Sequence, residues 1–149
     1  MNREASGEAR RRAREVALQV LFALDVQERK KQARPPACEA FEGVASHFEM
    51  PEAARAFAKE LAVEVSGRRE ELDAHIRACA RNWRIERMAV VDRNLLRLAT
   101  WELAHTGTPT AVVLDEAVRM ARRFGDDPSP GFVNGVLDGV ARRVREAVS

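Results

Sequence analysis

The sequence predicts an all-α protein: one compact domain of about seven helices, arranged as two helical sub-bundles sharing a core. Three observations carry that prediction. Apolar residues recur at three- and four-residue intervals through most of the chain, the periodicity of helices that bury one face. Aromatic residues make up only 5% with no tyrosine, and no alternating pattern of the kind a half-buried strand needs persists. With 149 residues, 46% hydrophobic and 32% charged, the chain is large enough for a sizeable core and too apolar for disorder.

The elements follow in order. Met1 to Ala9 is polar with little periodicity and is expected to be loose. The first helix is predicted from about Glu8 to Gln27. Stepping about 100° per residue, Ala13, Val16, Ala17, Val20, Leu21 and Leu24 fall on one face. Phe22 lands nearly opposite that face, on the side of Arg11, Glu15 and Leu18. Lys30 to Pro36 is charged, ends in two prolines and reads as a linker. A modest helix over Cys38–Phe48 uses Phe41, Val44, Ala45 and Phe48. Pro51 fits a first-turn position, and Ala54, Phe57, Ala58, Leu61, Ala62 and Val65 repeat at helical spacing after it. Leu72, Ile76, Cys79 and Ala80 carry the spacing into a fourth helix.

The second half is more sharply patterned. Met88, Val91, Leu95, Leu98 and Ala99 form one stripe, which Thr106-Gly107-Thr108-Pro109 ends. Val113, Ala117, Met120, Ala121 and Phe124 form the next, with Gly125 at the expected C′ position. Ser129-Pro130 has the form of an N-cap followed by a proline at N1. Val133, Val136, Leu137, Val140 and Val144 then line the last helix. Gly135 and Gly139 lie across from that stripe, where another backbone is expected to approach closely.

A net charge of +2 excludes a protein basic all over, so any nucleic-acid contact must come from a local patch. Arg10, Arg11, Arg12 and Arg14 form that patch. They crowd the start of a helix, where the macrodipole disfavours each cation by about 0.3–1 kcal/mol. An external anion would relieve that cost; a frayed end with solvated arginines is the alternative. Two isolated cysteines in no metal-ligand spacing fit a reducing cytoplasm. No apolar run approaches the roughly 18 residues of a membrane span, and no signal peptide is evident.

Catalytic patterns are sparse. No serine sits in a nucleophile elbow. His47, His75 and His105 lack the i, i+4 pairing of a helical metal site, no glycine-rich phosphate loop is present, and no cofactor is expected. Glu102 falls within an apolar face and reads as a structural, bonded carboxylate. Asp92 lies nearer the rim of the same face, where a solvated charge is equally consistent. Trp83 and Trp101 read as packing residues. Phe132 falls off its stripe in the first turn of the last helix, where free backbone N–H groups favour anions. A ring there suits a splayed base; a ring tucked against the preceding loop fits the spacing equally well.

These residues carry a resemblance to a known family. Arg11-Arg12-Ala13-Arg14-Glu15-Val16-Ala17-Leu18-Gln19-Val20-Leu21-Phe22 resembles the opening helix of the bacterial transcription antitermination factor NusB family. So do Asn82-Trp83 with Glu86-Arg87, Val91 to Arg97, Trp101-Glu102-Leu103, and the closing segment from Asp115-Glu116-Ala117 to Phe132-Val133-Asn134-Gly135-Val136-Leu137-Asp138. The resemblance spans nearly the whole chain and is weakest between about Glu28 and Leu72. It implies a non-enzymatic, cytoplasmic protein of a single domain that binds boxA-type single-stranded RNA. Its implied partner is NusE, the small-subunit ribosomal protein, and it meets RNA polymerase indirectly; a homodimer of the free protein is allowed. Carried over by position, Arg10, Arg11, Arg12 and Arg14 would meet phosphates. Gln19 and Phe22 would lie along the RNA, with Phe132 as a second aromatic contact and Asp92 as a base-edge acceptor. Pro130-Gly131 stands where family members often carry a basic residue, which weakens the electrostatics of that second site. Two other readings remain: an RNA-binding module of an RNA methyltransferase, and a helical adaptor whose arginines pair with an acidic protein.

Overall fold

The apolar stripe of the first helix finds its partners within the first 67 residues. A computed structural model describes residues 7–30 and 35–146; the predicted loose start lies outside the described residues up to residue 6, as do residues 31–34 of the linker. Gly7, Glu8 and Ala9, expected to be loose, form the first turn of the first helix, with Ala9 buried. The chain divides into two compact units, residues 1–67 and 68–149. In the first, α1 (Gly7–Arg29) packs against α2 (Ala37–Ala45) and α3 (Glu52–Gly67). Ala13, Val16, Ala17, Val20, Leu21 and Leu24 are all buried, as are Phe41 and Ala45 of α2 and Ala54, Ala58, Leu61, Ala62 and Val65 of α3. Both α1 and α3 bury alanines, whose side chains are short enough for packed helices to approach closely. Leu18, expected on the opposite side, is also buried.

The second unit is built around α5 (Val90–His105), which packs against α4 (Arg69–Cys79), α6 (Thr110–Phe124) and α7 (Ser129–Arg145). A helix covered on three sides has almost no solvent face, and every residue from Asn94 to Leu103 is buried. Its polar groups must therefore be met inside the protein. Arg97 and Asp73 of α4 make a buried fork: Nε donates to Oδ1 at 2.8 Å and Nη2 to Oδ2 at 2.9 Å. Glu102 is buried, as the stripe required, and is not without a partner. At the C-terminal end of α5, Arg145 of α7 donates to the carbonyls of Leu103 (3.0 Å), Thr106 (3.2 Å) and Glu102 (3.3 Å), and to Thr110 Oγ1 (3.0 Å). A guanidinium on the last carbonyls of a helix both satisfies them and faces the negative end of its dipole.

Several local expectations change. The α5 helix starts at Val90, not at Met88, because a 3₁₀ turn at Ile85–Arg87 precedes it and Met88 is extended (φ −68°, ψ 150°). Gly125 is not a left-handed cap; at φ −100°, ψ −170° its backbone is extended. Glycine is required there for space, since a Cβ would lie 2.7 Å from Ser129 Oγ and 2.9 Å from the Ala121 carbonyl. Ser129 is the first helical residue, with Pro128 in the cap position. Its hydroxyl instead accepts the Asp126 N–H at 3.1 Å and closes the preceding loop. Of Gly135 and Gly139, only Gly139 is closely approached, and by a side chain: a Cβ would meet Cys79 Sγ at 3.2 Å, whereas Gly135 faces open space.

Candidate nucleic-acid interface

The arginines at the start of α1 lie over aromatic rings. Arg10 places its guanidinium 4.2 Å from the centroid of Phe57 on α3, and Arg14 lies 5.6 Å from the same ring. Arg12 sits 5.9 Å from Phe48, just past α2. The negative face of a ring attracts a cation by about 0.5–1 kcal/mol at exposed sites. The rings thus offset the unfavourable dipole that the sequence assigned to an outside anion. A cation–π contact uses no hydrogen-bond acceptor, so an exposed guanidinium held this way keeps its N–H groups for a second ligand. Arg11 and Arg12 are exposed and Arg10 is half-buried.

Arg14 departs from the expectation. It is only 3% exposed, so it belongs to the packing around Phe57 and is not presented to a phosphate as its neighbours are. Gln19 is exposed, and Phe22 is 46% exposed on the back of α1, as the helical wheel required.

The second unit brings Asp92 and Phe132 together with Trp83, which the sequence analysis read as a packing residue. Trp83 is 62% exposed. Its ring meets that of Phe132 edge to face, with centroids 5.5 Å apart and planes at 72°. These rings, with Arg87, Met88, Ala89, Asp92 and Pro128, line a notch of about 190 Å³. Asp92 is 9% exposed, against the rim position expected of it, and its Oδ1 has no hydrogen-bond partner. The anion-binding amides expected around Phe132 are largely spent. Ser129 N–H donates to Asp126 at 2.9 Å, Phe132 N–H donates to Pro128 at 3.1 Å, and Pro130 has none.

Two of the three histidines are engaged by neighbouring side chains. His105 Nε2 lies 2.6 Å from Glu71 Oε2, and Arg143 Nε donates to His75 Nδ1 at 3.0 Å. Partial burial and the Arg143 charge push the His75 pKa below its usual value. Among the described residues, no group of three or more His, Cys, Asp or Glu side chains could hold a metal ion. Nor is any helix among them long and apolar enough to cross a membrane.

Together, fold and surface define an all-helical protein whose first helix opens in ring-stacked arginines and whose second unit carries an aromatic notch. The sequence model of the NusB family matches residues 11–142. The transcription antitermination protein NusB of Solibacter usitatus (strain Ellin6076) is 43% identical over 138 residues, spanning 93% of this chain and 92% of that protein. The NusB of Sorangium cellulosum (strain So ce56) is 44% identical over 139 residues, spanning 91% and 94%. Among solved structures, T. maritima NusB superposes with a TM-score of 0.81 at 28% identity, covering 97% of this chain and 96% of that one. A chain in a crystal structure of antitermination factors NusB and NusE in complex with double-stranded RNA superposes with a TM-score of 0.77 at 27% identity, covering 93% and 99%. The chain belongs to the NusB family.

Proposed function

We propose that this protein is a transcription antitermination factor that binds boxA-type single-stranded RNA together with NusE and helps RNA polymerase read through terminators in ribosomal RNA operons. It acts as a single functional domain in the cytoplasm, without catalysis, by assembling a complex. The observation that carries the reading is the set of arginines at the start of α1, ring-stacked at Arg10 and Arg12, on the helix that also exposes Phe22. Arg10, Arg11 and Arg12 meet phosphates, and Gln19 and Phe22 lie along the strand. Asp92 and Phe132 form the second contact. Phosphate contacts give salt-dependent affinity, while rings and polar edges give base preference. Membership of a family whose relatives are named for antitermination supports the reading, as does the likeness to a chain solved with NusE and RNA.

The test is a filter-binding titration of a short boxA-type RNA at two salt concentrations, with and without NusE, beside a duplex of the same sequence. Salt-sensitive binding of the single strand, tightened by NusE, is expected. No RNA binding at low salt in either case, or equal binding of the duplex, would contradict it. Retention of an acidic protein but no RNA would point instead to the adaptor.

A further inference from the structure

We infer that Trp83 is a base-stacking residue, and that its notch takes one unpaired nucleobase whose exocyclic amine is read by Asp92. The inference rests on the RNA reading above and adds to it a stacking residue and a rule of base choice.

Trp83 belongs to none of the seven helices, following the end of α4 and preceding the 3₁₀ turn at Ile85–Arg87. An indole left 62% exposed forgoes most of the burial that normally stabilises so large an apolar side chain. It is nevertheless fixed in place, because Phe132 meets it edge to face at 5.5 Å. Two rings at 72° cannot both lie flat on one base. The more exposed ring is the platform, and Phe132, which lines the same notch, positions it and meets the base from the side. Every base presents a π-face, so stacking supplies affinity without selecting among bases.

Selection comes from Asp92. It lines the same notch and is nine-tenths buried, with an Oδ1 that meets no donor in the protein. An unsatisfied buried acceptor is costly; Oδ1 is closed off in the free protein, so a base's N–H reaches it, and removes that cost, only as the side chains lining the notch part around the base. Adenine, cytosine and guanine each carry an amine able to donate to this oxygen. Uracil's only edge N–H is flanked by two carbonyl oxygens that a carboxylate repels. Arg87, exposed at the mouth of the notch, is placed to pair with the phosphate of the lodged nucleotide.

The experiment measures binding of a short labelled single-stranded boxA-type RNA by fluorescence anisotropy, with each position in turn made abasic or changed to uridine. Wild-type protein should show one position where either change weakens binding by roughly ten-fold, within the range for loss of a stacked base. Trp83→Ala should weaken the intact RNA by the same factor and become indifferent to an abasic site at that position. Trp83→Phe should restore most of both. Asp92→Asn should keep the affinity for the amine-bearing base while narrowing its advantage over uridine, because an amide can also donate to a carbonyl. Intrinsic emission gives an independent reading. Trp101 is buried, so quenching on binding reports Trp83 and should vanish in Trp83→Ala. If wild-type protein binds no RNA, the underlying reading fails. If it binds RNA while Trp83→Ala keeps the wild-type affinity and positional profile, the reading stands and the notch is overturned.

Discussion

Two arginines of the first unit and two of the second are held in opposite ways. In the first, Arg10 and Arg12 rest on the faces of Phe57 and Phe48. In the second, Arg97 and Arg145 are locked by hydrogen bonds, the former to both oxygens of Asp73 and the latter to the terminal carbonyls of α5. A locked guanidinium has spent its donors and serves the fold. Arg10 and Arg12, held near rings at partly or fully exposed positions, leave their N–H donors available to an anion. The difference separates cations that stabilise the structure from cations that suit a ligand, although both are arginines and both touch protein.

That contrast can be broken most severely at Asp73. Removing one member of a buried ion pair leaves an uncompensated charge, so Asp73→Ala should destabilise the protein by about 3–5 kcal/mol. Arg12→Ala, which removes only an exposed cation–π contact, should cost about 1 kcal/mol or less. Denaturant midpoints for the two variants check this; equal losses would erase the distinction. A smaller effect concerns the rings themselves. Phe22→Ala should leave the unfolding midpoint nearly unchanged while weakening RNA binding by about 1–3 kcal/mol. A large fall in stability with normal affinity in the folded fraction would instead make Phe22 a packing residue.

What the sequence made legible was whatever a single helix decides. The stripe of α1, the exposure of Phe22 and the burial of Glu102 all follow from angular position on one helix, and the structure has them as the wheel placed them. Trp83 was misplaced because it lies outside any helix, where no periodicity assigns a face. Arg14 was misread because its environment is set by Phe57 on another helix, a contact that no local spacing encodes. The Asp73–Arg97 pair went unseen for the same reason, its members being 24 residues apart on separate helices. Gly125 was identified as special for the wrong cause. A glycine after a helix suggests a left-handed cap, but the requirement is room for Ser129. Asp92 is the instructive intermediate: its angle on α5 put it near the edge of the apolar face, and angle alone does not say how deeply neighbouring segments bury it.

The claim that ring-stacked arginines keep their donors for RNA is tested most directly by the salt dependence of binding. Each phosphate contact to a single strand contributes about 0.7 to the slope of log affinity against log salt concentration. Arg10→Ala with Arg12→Ala should therefore flatten that slope by about 1.4, twice the single-contact value, with the protein still folded. A slope unchanged from wild type would show that these guanidiniums only cover Phe57 and Phe48, and would contradict the account.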